Sequence, residues 1–108
     1  MEIAFHSRPL RDICESEEML TKRFGKRVGQ HIKRRLADLR AATSVEDLLV
    51  GNPRQLSGKL HPTMALDLCD GFSLTFRPNH VRRGTATEKG DWSEVTRIKI
   101  MTMGRDND

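Results

Sequence analysis

The sequence has few aromatic residues, few cysteines and no long apolar run. Only 5% of its 108 residues are aromatic, tyrosine is absent, and the cysteines are Cys14 and Cys69. These two thiols lack the spacing of a metal-ligand set, so we expect both to be reduced. No stretch approaches the roughly 20 apolar residues of a membrane span, and the N-terminal residues lack the apolar core of a signal peptide. These absences predict a cytoplasmic protein that needs no cofactor, metal or membrane.

Charged residues, in contrast, are abundant. The chain has 19 Lys and Arg against 15 Asp and Glu, a formal net charge of +4, and 36% hydrophobic residues. A chain of this length suits one domain with one core, here residues 1–108, with an exposed loop over 78–91 and a polar tail over 104–108. The basic balance favours a nucleic acid or an acidic protein as partner, although a solvated basic surface would explain it equally well.

The clearest structural signal is a β-hairpin around Asp70-Gly71. Apolar residues alternate with polar ones on both sides of this dipeptide, which is typical of a type I′ turn because both of its central residues need φ > 0. One face of the hairpin then carries Met64, Leu66, Leu68, Phe72, Leu74 and Phe76, and the other carries Asp67, Ser73, Thr75 and Arg77. We expect the apolar face to pack against helices and the polar face to bind a phosphate backbone.

The remaining sequence predicts two helices and further strands. The first helix covers about 9–24 and ends at Gly25, and the second covers about 26–42 with an apolar stripe at helical spacing. Further strands are expected over 2–5, around 56–60, and over 94–103. The fold class is therefore α+β, with a short N-terminal strand and two helices packed on one face of a small antiparallel sheet of three to five strands.

Two longer stretches carry a family resemblance. The first, KRRLADLRAATSVEDLLVGNPRQLSG (33–58), is a helix followed by a small-residue turn, an acidic turn, Gly-Asn and a Leu-x-Gly. The second, MALDLCDGFSLTFRP (64–78), is a strand, an Asp-containing turn and a strand that begins with an aromatic residue. In order and spacing they resemble the RelE/ParE superfamily of bacterial toxins, most closely its HigB-like "killer protein" branch.

The resemblance implies a RelE-like fold and the toxin of a type II toxin–antitoxin pair. Such a toxin is an endoribonuclease that cleaves mRNA on the ribosome without a metal and so blocks translation. The implied partners are the ribosome, mRNA and a cognate helix-turn-helix antitoxin (HigA-like), through which the pair reaches operator DNA.

Cleavage of RNA through its 2′-hydroxyl requires proton transfer and cations that stabilise charge on phosphorus. Histidine transfers protons near neutral pH, and His61 at the mouth of the hairpin is the first candidate. Arg77 is the best phosphate ligand, because a guanidinium group binds phosphate bidentately. Arg97 extends the same face from the last strand, and Arg54 approaches it from the preceding loop. The candidate catalytic set is thus Arg77, His61, Arg54 and Arg97.

Four further cations are candidates for contacts with the RNA backbone, and each also has a structural explanation. They lie before the hairpin, on the last strand and on the basic surface of the second helix. The RNA-binding set is Lys59, Lys99, Lys33 and Arg34. Solvated surface charge would explain them, and a cross-strand ion pair with Asp67 would explain Arg77. Asp106 would correspond to an aspartate near the end of similar toxins.

Two alternative functions accompany the endoribonuclease. The chain differs from the family where Ser73, rather than arginine, follows Phe72, and where tyrosine and a terminal histidine are absent. A ParE-like inhibitor that binds DNA gyrase needs no general acid, so these differences favour it. The other alternative is a degenerate toxin that serves only as an antitoxin-binding module.

Overall fold

The computed structural model describes residues 1–58, 60–79, 92 and 95–105. This part of the chain forms an α+β fold, as predicted, with three α-helices, one 3-10 turn and a five-stranded sheet. None of its helices is both long enough and apolar enough to cross a bilayer. In chain order the elements are β1 (Glu2–Phe5), α1 (Arg8–Cys14), α2 (Glu17–Phe24), α3 (Lys26–Ala41), the 3-10 turn Val45–Asp47, β2 (Arg54–Gln55), β3 (Met64–Asp67), β4 (Phe72–Pro78) and β5 (Arg97–Arg105).

The region predicted as one helix over 9–24 contains two helices, α1 and α2. Ser16 between them is extended, with φ −122° and ψ 116°, and its Oγ accepts a hydrogen bond from the Met19 N–H at 3.2 Å. Such a serine satisfies an amide at the start of a helix, and the two glutamates that follow place favourable charge in the first turn. The single-helix prediction was wrong because the apolar spacing continues across this cap whereas the helical backbone does not. Gly25, with φ +89°, ends α2 as predicted.

The sheet is mixed rather than antiparallel. Its strand order is β1-β5-β4-β3-β2, in which β1 runs parallel to β5 and the other neighbouring strands are antiparallel. The prediction of an antiparallel sheet was therefore wrong for β1. A parallel pair requires a long connection, and in the described part of the chain three helices and three strands lie between the two partners. No local pattern in four residues specifies so distant a partner.

Three predicted boundaries shift. β2 lies at Arg54–Gln55 rather than 56–60, because the chain turns at Gly58, where φ is +74°. β5 extends to Arg105, and so includes the first two residues of the predicted 104–108 tail. β4 includes Pro78, the first residue of the predicted 78–91 loop, while residues 80–91 and 106–108 lie outside the described part.

In the hairpin turn the φ angles have the predicted positive sign, and the first strand contains one additional residue next to the turn. Asp70 and Gly71 have φ of +57° and +80°, which confirms the left-handed turn. The Phe72 N–H donates to the Cys69 carbonyl at 3.0 Å, while the Leu68 N–H donates to the Phe72 carbonyl at 2.9 Å. Two residues of one strand thus stand opposite a single residue of the other, which is a β-bulge.

This bulge sets the register of the two strands. Leu66 pairs with Leu74, and Met64 pairs with Phe76. A two-residue loop without the bulge would instead place Leu66 opposite Thr75 and separate the apolar faces of the two strands. Because a one-residue slip moves a whole strand's apolar set to the other face, the burial pattern determines the register here.

The helices cover one face of the sheet and bury it. Phe76 contacts Trp92 edge-on with ring centres 6.2 Å apart, and Trp92 Nε1 donates to Gln55 Oε1 at 3.1 Å. The buried cluster that joins the two layers includes Leu20, Val28, Ile32, Leu36 and Leu39 from the helices and Leu66, Leu74, Phe76, Ile98 and Ile100 from the strands. Since side chains alternate along a strand, the residues between these positions lie on the face opposite the helices.

Candidate functional site

The face of the sheet opposite the helices brings together three of the predicted cations. Arg77 on β4 pairs in register with Lys99 on β5, and Arg97 lies two residues before Lys99 on the same side of the strand. We call Arg77, Lys99 and Arg97 the cationic face. Side chains at paired positions have Cβ atoms about 5 Å apart, so Arg77 and Lys99 are near enough to bind one anion. Both are half-buried, and Arg97 is exposed.

A buried hydroxyl orients Arg77. Its Nε donates to Thr63 Oγ1 at 3.3 Å, and the Thr63 hydroxyl donates to the His61 carbonyl at 3.0 Å. Thr63 is 3% exposed, and its hydroxyl is held between these two hydrogen bonds. The contact uses one of the five N–H groups of the guanidinium, so a phosphate can still be bound by the others. His61 is exposed, and it takes part in this arrangement through its backbone carbonyl, which accepts the hydrogen bond from Thr63.

Asp67 interacts with Arg54 and not with Arg77. Arg54 Nη1 lies 2.7 Å from Asp67 Oδ1, and Asn52 Nδ2 donates to the other carboxylate oxygen at 3.3 Å. In the described part of the chain the cross-strand neighbour of Asp67 is Ser73. The structural explanation of Arg77 as the partner of Asp67 is therefore wrong, and it applies to Arg54 instead.

Arg54 lies on the same face as Arg77 but further along the sheet. It pairs in register with Ala65, which pairs with Thr75. Neighbouring strands are separated by about 4.8 Å, so Arg54 is roughly 10 Å from β4. Because Arg54 forms an ion pair with the Asp67 carboxylate, the pair adds less positive charge to this face than an unpaired arginine would.

Arg97 is also engaged by a carboxylate. Its Nε lies 2.7 Å from Glu2 Oε2, and the two residues are register partners on β5 and β1. Their side chains are 60% and 74% exposed. Ion pairs this exposed contribute about 1 kcal/mol or less, so a phosphate can compete for Arg97.

Two threonine hydroxyls at this site, those of Thr63 and Thr102, were not predicted from the sequence, whereas Thr75 was predicted on the polar face. The Thr75 and Thr102 hydroxyls lie 2.6 Å apart between β4 and β5, beside the irregularity at Thr75/Phe76. The sequence signal for Thr63 is a polar residue directly before a strand and in phase with the polar face of that strand. These hydroxyls make the surroundings of the cations polar without adding negative charge.

The other candidates lie elsewhere or outside the described residues. Lys33 and Arg34 are exposed on α3, in the helical layer, and Lys33 Nζ lies 3.2 Å from Glu17 Oε1. The structure therefore separates them from the cationic face by the thickness of the sheet. Lys59 and Asp106 fall outside the described part of the chain.

The chemistry of the cationic face is that of an anion-binding surface. Within residues 1–58, 60–79, 92 and 95–105, no group of three His, Cys, Asp or Glu side chains is placed to hold a metal ion. Arg77 and Lys99 instead provide two neighbouring positive charges and several N–H donors for an oxyanion. Comparison with known proteins identifies no relative, since no family model, curated protein or solved structure matches the chain.

Proposed function

We propose that this chain is the toxin of a type II toxin–antitoxin pair and cleaves mRNA on the ribosome. The observation that carries the proposal is the register pairing of Arg77 with Lys99 on the face opposite the helices. The resemblance of 33–58 and 64–78 to HigB-like toxins supplies the substrate class. The same resemblance supports a cytoplasmic protein with a RelE-like fold and a HigA-like antitoxin as its partner.

The proposed reaction is attack of a ribose 2′-oxygen on the neighbouring phosphorus. The bond from the 2′-oxygen to phosphorus forms and the bond to the 5′-oxygen breaks, which leaves a cyclic phosphate and a 5′-hydroxyl. One proton leaves the 2′-hydroxyl and one is delivered to the 5′-oxygen, and His61 is the candidate for one of these transfers. Arg77 and Lys99 stabilise the extra negative charge that develops on the phosphate oxygens.

Replacement of Arg77 tests this assignment. We expect Arg77→Ala to lower the rate of mRNA cleavage about a hundredfold or more, because a positioned charge on the transition state is lost. The measurement is primer-extension mapping of mRNA 5′ ends after brief induction of the protein. Arg23→Ala, an exposed arginine on α2, is the matched control and should cleave normally. Circular dichroism verifies that both variants fold.

A non-catalytic gyrase inhibitor is the alternative, and one observation favours it. Two of the four candidate catalytic residues, Arg54 and Arg97, are ion-paired with Asp67 and Glu2. Growth arrest with intact mRNA and induction of the DNA-damage response would select the inhibitor and reject the nuclease. Harmless expression together with tight binding of a helix-turn-helix protein from the adjacent reading frame would select a degenerate toxin.

A further inference from the structure

β1 leaves one backbone edge of the sheet without a neighbouring strand among the described residues. The N–H groups of Glu2 and His6 donate to carbonyls of Thr96 and Ile100, at 3.1 and 2.8 Å, and so point towards β5. Because consecutive peptide groups of a strand point to opposite sides, the N–H and C=O groups of Ile3 and Phe5 point to the outer edge. An unpaired edge of this kind is a template for a further strand.

A groove lies alongside this edge. It has a volume of about 690 Å³ and is formed by residues of β1, by α1 and by Arg40 near the end of α3. Contact between β1 and both α1 and α3 keeps its walls in place. An open edge beside a cleft has the shape that an extended peptide occupies when it adds to a sheet.

The charges around the groove favour an acidic occupant. Its two acidic residues, Asp12 and Glu15, both act on Arg11, and the Arg11 Nε lies 2.9 Å from Glu15 Oε1. Arg8 and Arg40 also line the groove, and in the described part of the chain no ion pair joins either of them to a carboxylate. Two arginines that line the groove are therefore available to an incoming carboxylate.

We infer that β1 takes up an extended acidic peptide from a partner protein as a sixth strand, held by the outer peptide groups of Ile3 and Phe5 and by Arg8 and Arg40. Main-chain hydrogen bonds supply affinity in such additions, and side chains supply selectivity. The groove lies at the opposite end of the sheet from β2, beyond the cationic face, and the inference is independent of RNA cleavage.

The test uses a pool of eight-residue peptides with Glu at every second position and Val, Ile, Thr or Tyr between, and fluorescence anisotropy with the whole chain. We expect saturable binding by members of this pool and none by a pool with Lys in place of Glu. The double variant R8E/R40E should weaken binding about tenfold, since two ion pairs are replaced by repulsion, while Arg23→Glu should not change it.

Backbone pairing is tested separately from charge. Methylating the amide nitrogens along one edge of the best peptide removes hydrogen bonds without changing charge, and we expect binding to be lost for one of the two edges. Amide exchange at Ile3 and Phe5 should slow when the unmodified peptide is bound. Absence of any acidic binder, binding insensitive to methylation on both edges, or displacement by a short single-stranded RNA would each overturn the inference.

Discussion

Asp67 shows how a single residue changes what its neighbours can do. Its carboxylate binds Arg54 Nη1 at 2.7 Å, and its carbonyl oxygen accepts a hydrogen bond from Arg35 Nε at 3.2 Å. The Arg54 and Asp67 side chains are 36% and 45% exposed, so the pair is only partly desolvated and its contribution to stability is about 1 kcal/mol or less. Arg54 is thus positioned by a carboxylate, whereas Arg77 is positioned by a neutral hydroxyl.

Cys14 provides a prediction at the same scale. Burial raises the pKa of its thiol from 9.0 to about 11, and its Sγ lies 3.7 Å from Met103 Sδ. Because the thiolate is the reactive form, we expect iodoacetamide to modify Cys14 about a hundredfold more slowly at pH 8 in the folded protein than in urea, measured in Cys69→Ser protein. Equal modification rates in the folded and unfolded protein would contradict the burial of Cys14.

The same pKa shift of Cys14 makes stability depend on pH. Since the folded state keeps the thiol proton between pH 9 and 11 and the unfolded state loses it, the free energy of unfolding falls as pH rises through that window.

Among the helices and strands, a single polar residue can end a helix within a longer apolar pattern. The spacing of apolar residues over 9–24 continues through Ser16, yet the Ser16 side chain begins a new helix there. In the hairpin the reverse occurs: the apolar pattern is preserved, and the turn takes an extra residue to accommodate it. Periodicity therefore predicted which residues are buried better than it predicted where the backbone breaks.

The cap at Ser16 can be tested directly. We expect Ser16→Ala to lower the free energy of unfolding by about 1 kcal/mol, because the Met19 N–H at the start of α2 loses its acceptor. Urea unfolding followed by circular dichroism measures this change. Ser57→Ala is the matched control, since Ser57 is exposed and outside any helix or strand, and it should be close to neutral. A Ser16 variant as stable as the control would show that the cap contributes nothing.

At the scale of the whole molecule, positive charge lies on two sides. The cationic face is on the outer surface of the sheet, and Lys33 and Arg34 are on the helical layer. The salt dependence of RNA binding counts the phosphates that the protein neutralises, so the change in that dependence on substitution of each side reports which side is used.

The salt dependence of RNA binding gives a quantitative prediction. If Arg77 and Lys99 together bind one phosphate and Arg97 binds a second, the logarithm of the association constant of a short single-stranded RNA should fall with the logarithm of salt concentration with a slope of about −1.4. The variant R77A/K99A should reduce the magnitude of that slope by about 0.7, whereas K33A/R34A should leave it unchanged. Fluorescence anisotropy across a salt series measures both. A slope that responds only to the α3 variant would place RNA on the helical layer.

The local features of this protein can be derived from its amino-acid sequence. The left-handed turn at Asp70-Gly71, the stop at Gly25 and the helix Lys26–Ala41 follow from backbone sterics and from the spacing of apolar residues, which act over a few residues. Alternation also placed Arg77 opposite the buried side of its strand. These features need no knowledge of distant parts of the chain.

Which helices and strands contact one another depends on the packing of the whole chain. The parallel pairing of β1 with β5, the ion pair of Arg54 with Asp67, and the separation of Lys33 from the cationic face all join or divide residues that are distant in sequence. Such contacts depend on how the helices and strands pack into one core, and a charged side chain takes whichever partner that packing brings near it. For this reason alternation along the strands could place Arg77, Arg97 and Lys99 on one face, while the carboxylate partners of Arg54 and Arg97 came only from the packing.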